Sequence, residues 1–258
     1  MSGQIQFKTG PNGIGVLIIS QPAKRNALTA QMWAAIPKTL DKARQNPELK
    51  ALVIRGEGDH FASGADISEF STLYATPESA AKISASIASA MNALAAFPLP
   101  TLALIRGACI GGGCGLALCC DIRFADHSSQ FAITPAKLGL VYPYNDVQRL
   151  IETIGLPRAK DMLMSARRVS AKDAQDIGLV NFLNTADDLE TIVMEYARGL
   201  ATLSSQSLIV TKQMFAAYQA GQFDDNTQTQ NWFLTGFSSD DFKEGYRAFM
   251  HKETPRFQ

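Results

Sequence analysis

Short apolar runs alternate with stretches of helical periodicity along the first two thirds of this chain, and that alternation restricts the fold more than any other feature. Residues 15–20 (GVLIIS) read as a strand that ends in the turn-rich QPAKRNAL. A helix follows from about Thr29, whose hydroxyl suits an N-cap, to about Gln45, just ahead of Pro47. Residues 49–55 (LKALVIR) are β-branched and apolar up to Gly56 and predict a second strand. Thr76-Pro77 opens an Ala-, Ser- and Ile-rich helix over 77–97, closed by Pro98 and Pro100. Residues 101–105 (TLALI) and 121–125 (DIRFA) supply further strands. Strands separated by whole helices pair in parallel, which points to an α/β fold whose sheet is buried on both faces. From about residue 187 the pattern becomes helix after helix, including 187–203 and 205–220, with no long linker before it. The expected organisation is a βα core over 1–195 and a helical segment over 196–258.

A chain of 258 residues, 46% hydrophobic, can bury a large core. Lys plus Arg and Asp plus Glu balance at 24 each, so no charge excess favours nucleic acid or anionic lipid as a partner. The start MSGQIQFKTG lacks the apolar stretch of a signal peptide, and no apolar run reaches the ~18 residues of a membrane span. The expected compartment is the cytoplasm. Cys109, Cys114, Cys119 and Cys120 fall within one apolar, glycine-rich stretch and read as small buried hydrophobes, with no metal site.

That stretch, residues 107–116 (GACIGGGCGL), and an earlier one, 61–67 (FASGADI), are the candidates for chemistry. Each follows an apolar strand and leads toward a helix. Glycine lets a backbone approach closely and leaves peptide N–H groups free to meet a ligand. A dinucleotide fingerprint would need GxGxxG in the first βαβ unit, and a phosphate loop would need GK[ST] after the glycines; neither is present. Close helix–strand packing and an oxyanion hole, in which N–H groups hold charge developing on a carbonyl oxygen, remain.

Together the segments resemble the crotonase (enoyl-CoA hydratase/isomerase) superfamily over nearly the whole chain. QPAKRNALT, FASGADI, GACIGGGCGLALCCDIRFA, FAITPAKLGL with QRL, RRVSAKDAQDIGLV and the ending EGYRAFMHKETPRF follow one another in family order. The resemblance implies a spiral of ββα units with a C-terminal helical trimerisation segment, assembled as a homotrimer or a dimer of trimers. It implies an acyl-CoA thioester as substrate, with coenzyme A as part of that substrate and no tightly bound cofactor. The backbone N–H groups of Ala65 and Gly112 would be the oxyanion donors. Lys24, Arg25 and Ala27 would lie along the CoA nucleotide and Ser63, Asp66 and Ile67 near its adenine, with Phe249 and Lys252 covering it from a neighbouring subunit. For Lys24, Arg25 and Lys252 the alternative is a solvated surface charge, and for Asp66 a helix cap.

The hydratases of the superfamily use two glutamates as general acid and base; the matching positions here are Gly115 and Pro135. Tyr142, Tyr144, Asn145 and Asp146 are the polar groups left to face the acyl chain. Thr134-Pro135 with Tyr142 is similar to the methylmalonyl-CoA decarboxylase branch, in which a phenol would hold the departing carboxylate. Tyr142 as a packing residue is the other reading. Asp146 reads as a cap or a solvent-facing residue on the next helix, and His60 as a surface-loop histidine. Three functions follow: an enoyl-CoA hydratase/isomerase-like enzyme working through an oxyanion-stabilised enolate, a malonyl-type decarboxylase, and a catalytically silent acyl-CoA-binding protein.

Overall fold

The computed structural model describes residues 3–257. Its elements, in chain order, are β1 (Gln4–Thr9), β2 (Ile14–Ser20), α1 (Ala30–Arg44), β3 (Ala51–Gly56), α2 (Phe70–Leu73), α3 (Pro77–Ala95), β4 (Thr101–Ile105), β5 (Ala108–Ile110), α4 (Gly112–Leu118), β6 (Ile122–Asp126) and β7 (Gln130–Ala132). There follow α5 (Tyr144–Ile154), α6 (Leu156–Ser165), β8 (Val169–Ser170), α7 (Ala171–Asp176), β9 (Phe182–Asn184), α8 (Leu189–Ala201), α9 (Ser205–Gln219), α10 (Thr227–Gly236) and α11 (Asp240–His251).

The strands fall into two sheets, one in the order β1-β2-β3-β4-β6-β9 and a small one in the order β5-β7-β8. After β4 the chain steps back and forth between them, large sheet, small sheet, helix, which generates a spiral. All pairings from β2 to β9 in the large sheet are parallel, with Leu17 opposite Ile54 and Leu104 opposite Phe124. The exception is β1, an antiparallel edge strand that pairs Gln4 with Ser20 and Phe7 with Leu17. Its sequence, QIQFKT, alternates polar and apolar residues, and Ile5 and Phe7 pack against the larger core.

Alternation along the strands sorts side chains into two cores. Leu52 and Ile54 of β3 and Ala103 and Ile105 of β4 face the larger core, which α1 and α3 cover with Trp33, Ile36, Leu40, Met91 and Leu94. Val53, Leu102, Leu104 and Phe124 face the other way, onto Leu189, Val193 and Ala197 of α8. Helix α8 therefore closes the second face of the sheet, and residues 195 and 196 both lie within it. The helix-rich end is tied on by Lys212 of α9, whose Nζ donates to Asp121 Oδ2 at 2.7 Å and to the Leu99 carbonyl at 3.0 Å.

Local signals explain most boundaries. Thr29 caps α1 by accepting from the Met32 N–H at 3.2 Å, and Thr76 caps α3 in a reciprocal capping box with Ser79. The four cysteines are buried and free. No helix among the described residues is long and apolar enough to cross a membrane, and no cluster of His, Cys, Asp and Glu among them has the makings of a metal site.

Candidate active site

The two glycine-bearing segments lie side by side because backbone hydrogen bonds lock them together. Ala62 N–H donates to the Ala108 carbonyl, and Ile110 N–H donates back to the Ala62 carbonyl, both at 2.9 Å. Gly113, in the first turn of α4, lies against this seam, and a Cβ there would meet the Ala62 carbonyl oxygen at 2.2 Å, so only glycine fits. On the other edge, Leu28 N–H donates to Gly64 and Asp66 N–H to Leu28, at 2.7 and 2.9 Å. In such a parallel bridge the central residue, Ala65, turns its own N–H to the opposite side.

Gly64, the residue before Ala65, packs close to the first residue of α4. Gly64 adopts φ +97°, and a Cβ on it would stand 3.0 Å from the Ile110 carbonyl and 3.5 Å from the Gly112 nitrogen. Ala65 and Gly112 line the same cavity, and neither N–H has a hydrogen-bond acceptor among the described residues. The edge of the buried Trp33 ring underlies Gly112, where a Cβ would meet it at 3.0 Å.

The cavity that Ala65 and Gly112 line has a volume of about 450 Å³. Ile67, Phe70 and Tyr74 form one wall, where Ile67–Glu69 make a 3-10 turn that runs into α2 ahead of the expected helix α3. Met91 and Asn92 of α3, residues 134–135 and 140–146 complete it. Gly115 and Pro135 carry no ionisable group. A Cβ on Gly115 would meet Met91 Cε at 2.8 Å and the Tyr142 hydroxyl at 3.1 Å, so Tyr142 fills the room that a longer residue at 115 would take. Burial pushes the Tyr142 phenol well above its ordinary pKa and keeps it a neutral donor; its hydroxyl lies 3.4 Å from the Gly111 carbonyl.

Asp146 corrects the sequence expectation. It neither caps α5 with its side chain nor faces solvent; it is 4% exposed and lines the cavity. Its Oδ1 accepts from Arg149 Nη1 at 2.8 Å, and Arg149 Nη2 donates to Asn92 Oδ1 at 2.7 Å. Burial raises the Asp146 pKa, with Arg149 pulling the other way. The missed signal is a spacing: Asp146, Leu150 and Ile154 lie four residues apart, on the one buried stripe of α5. His60 is also not a free surface residue, since its half-buried ring accepts from the Ala108 N–H through Nδ1 at 3.1 Å.

The remaining expected site residues divide into two groups. Lys24 Nζ reaches Asp66 Oδ2 at 2.7 Å and Ser68 Oγ at 2.8 Å. Asp66 is buried and caps the 3-10 turn through Ser68 N–H. Burial works against the Asp66 charge, yet hydrogen bonds from Lys24 and Ser68 outweigh it and hold its pKa at about 2. Ser63 joins the same rim through the carbonyls of Lys24 and Arg25, and exposed Ile67 lies beside it, while Ala27 is buried beneath. Phe249 and Lys252, in contrast, are exposed at the end of α11, and neither lines the cavity.

The family model described as Enoyl-CoA hydratase/isomerase matches residues 9–258. The chain belongs to the enoyl-CoA hydratase/isomerase family. Its fold is accordingly the crotonase-type α/β spiral. It superposes on an enoyl-CoA hydratase/isomerase family protein from Hyphomonas neptunium with a TM-score of 0.96 at 39% identity, covering 98% of this chain and 97% of that one. Among curated relatives, the peroxisomal Delta(3,5)-Delta(2,4)-dienoyl-CoA isomerase of Arabidopsis thaliana is 30% identical, with 98% of this chain and 96% of the relative aligned. The 2,3-dehydroadipyl-CoA hydratase of Escherichia coli is also 30% identical, with 94% of each aligned. A hydratase and an isomerase at equal distance leave the reaction to be argued from the site.

Proposed function

We propose that this enoyl-CoA hydratase/isomerase family member binds an acyl-CoA thioester with its carbonyl oxygen between the Ala65 and Gly112 N–H groups and stabilises the enolate formed there. The observation that carries this reading is a pair of unpartnered backbone N–H groups, on Ala65 and Gly112, lining one mostly apolar cavity. Fixed donors aimed at developing charge need no reorganisation during reaction, and loss of one typically costs about 10²–10³ in rate. The acyl chain runs toward Ile87, Met91 and Tyr142. The nucleotide lies over the rim formed by Lys24, Arg25, Ala27, Ser63, Asp66 and Ile67, and no tightly bound cofactor is needed.

The same reading makes the protein a homotrimer or a dimer of trimers. Its support is the row of exposed aromatic residues on α10 and α11, where Phe237 packs edge-on against Phe233 and Phe242 but still shows much of its surface. Neighbouring copies would cover that face and bring Phe249 and Lys252 over the nucleotide.

A second reading is decarboxylation of a malonyl-type thioester, favoured by the neutral Tyr142 hydroxyl in the cavity. Loss of CO₂ would leave the same enolate without needing a base. Against it, Asp146 would place a like charge near the departing carboxylate. A third is a silent acyl-CoA binder that keeps the glycines for folding alone.

Mass-spectrometric turnover of a panel of 2-enoyl-, 3-enoyl- and methylmalonyl-CoA thioesters separates them. Enolate chemistry predicts conversion of an enoyl thioester that falls about 10²–10³-fold in Gly112→Pro, compared with Gly112→Ala, which brings the same Cβ against Trp33 but keeps the N–H. Release of CO₂ abolished by Tyr142→Phe would establish decarboxylation. Binding with no conversion of any thioester would make the protein a silent binder.

A further inference from the structure

Among the residues that line the acyl cavity there is one carboxylate, Asp146, and one cation, Arg149. Arg149 is held from two walls, by Asp146 on its own helix and by Asn92 on α3. This fixes the carboxylate through Oδ1 and leaves Oδ2 without a hydrogen-bond donor among the described residues. Oδ2 is not among the fully buried atoms that lack a partner, so the free half of this carboxylate is open to the cavity that Asp146 lines. Burial outweighs Arg149 and raises the Asp146 pKa, which favours a carboxyl group able to give a proton back as well as take one. Tyr142 and Cys119 are close enough to feel its charge, which places it along the wall between the tyrosine and the far end of α4.

We propose that Asp146 is the acid/base residue of this cavity and that the reaction it serves is migration of a double bond in an enoyl thioester. This rests on the enolate reading above. Asp146 Oδ2 takes a proton from an acyl carbon, and the C–H electron pair moves through the conjugated system onto the thioester oxygen held by Ala65 and Gly112. The carboxylic acid then returns the proton to a different carbon as the electrons flow back from the oxygen. One C–H bond breaks, another forms, the double bond shifts, and no water, oxidant or second substrate is consumed. One carboxylate suffices for this sequence. Addition of water would require another group to activate the nucleophile, and Gly115 and Pro135 do not supply it. Arg149 is a positioning residue that holds the carboxylate toward the chain.

The test is incubation with 2-hexenoyl- and 3-hexenoyl-CoA in deuterium oxide, with mass-spectrometric counting of deuterium in the recovered thioester. Asp146→Asn keeps an acceptor for Arg149 but cannot take the proton. It is expected to lower deuterium incorporation by about 10²–10⁴-fold while retaining thioester affinity within a few-fold. In the wild type the rate should fall on acidification through a group titrating above the ordinary carboxylate range near ~4. Of the groups facing Asp146, Arg149 carries the opposing charge, and Tyr142 and Cys119 have pKa values raised by burial, Cys119 to about 12. Those two do not titrate in that acid range. If Asp146→Asn loses affinity as well, this profile decides: a rate flat to below ~4 overturns the assignment. Incorporation at the wild-type rate in Asp146→Asn, with Gly112→Pro inactive, overturns Asp146 and leaves the enolate reading standing. No incorporation by the wild type into either thioester, with conversion of neither, overturns both.

Discussion

The Tyr142 hydroxyl stands 3.1 Å from where a Cβ on Gly115 would lie, with Met91 Cε at 2.8 Å on the same spot. The glycine and the tyrosine therefore form one packing unit, and a larger side chain at 115 cannot enter without displacing both neighbours. Gly115→Glu is expected to cost about 1–3 kcal/mol through overpacking. Tyr142→Phe removes the crowding hydroxyl and should recover part of that cost, which a double-mutant cycle in urea would read as coupling between the sites.

Gly64 carries a second strict requirement. At φ +97°, an added Cβ is strained and projects between the Ile110 carbonyl and the Gly112 nitrogen. Gly64→Ala should lower stability by about 1 kcal/mol or more and also crowd the space between the two donors. Its rate loss in thioester turnover should exceed anything its stability loss explains at a temperature where it remains folded.

The Lys24–Asp66 pair gives a pH prediction. With its pKa depressed to about 2, Asp66 adds stability that is fully present above the ordinary carboxylate value near ~4 and is lost as pH falls through about 2. Denaturation curves of wild type and Asp66→Asn should therefore differ most at neutral pH and converge on acidification. Parallel curves down to the acid limit would show that Lys24 does not hold the carboxylate.

The aromatic face of α10 and α11 predicts assembly. Sedimentation should give a trimer or hexamer at micromolar concentration, and Phe237→Asp should shift it toward monomer and weaken CoA affinity together. A monomeric wild type would remove the proposed roles of Phe249 and Lys252.

Much of this architecture is legible in the sequence where one physical cause dominates. The runs LKALVIR and TLALI are strands because a sheet buried on both faces needs continuous apolar residues, and Thr29 and Thr76 mark helix starts by capping. The short strands β5, β7 and β8 are too brief for periodicity to show, and they exist because the larger sheet and the glycine seam hold them. FASGADI and GACIGGGCGL mark where the backbone can come close to a neighbour or a ligand, but their pairing through Ala62 and Cys109 is a tertiary fact. Asp146 was obscured for a different reason. An acidic residue in a first helical turn suits the helix dipole, and that local logic hides the four-residue spacing to Leu150 and Ile154 that buries it.

The central claim, a thioester carbonyl held by the Ala65 and Gly112 N–H groups, is tested most directly by isotope-edited infrared spectroscopy of a bound acyl-CoA labelled with carbon-13 at the thioester carbonyl. Two hydrogen bonds from fixed donors should move the carbonyl stretch below its position in water, and Gly112→Pro should return it most of the way. A bound thioester with an unshifted stretch, or one that Gly112→Pro leaves unchanged, would contradict the account.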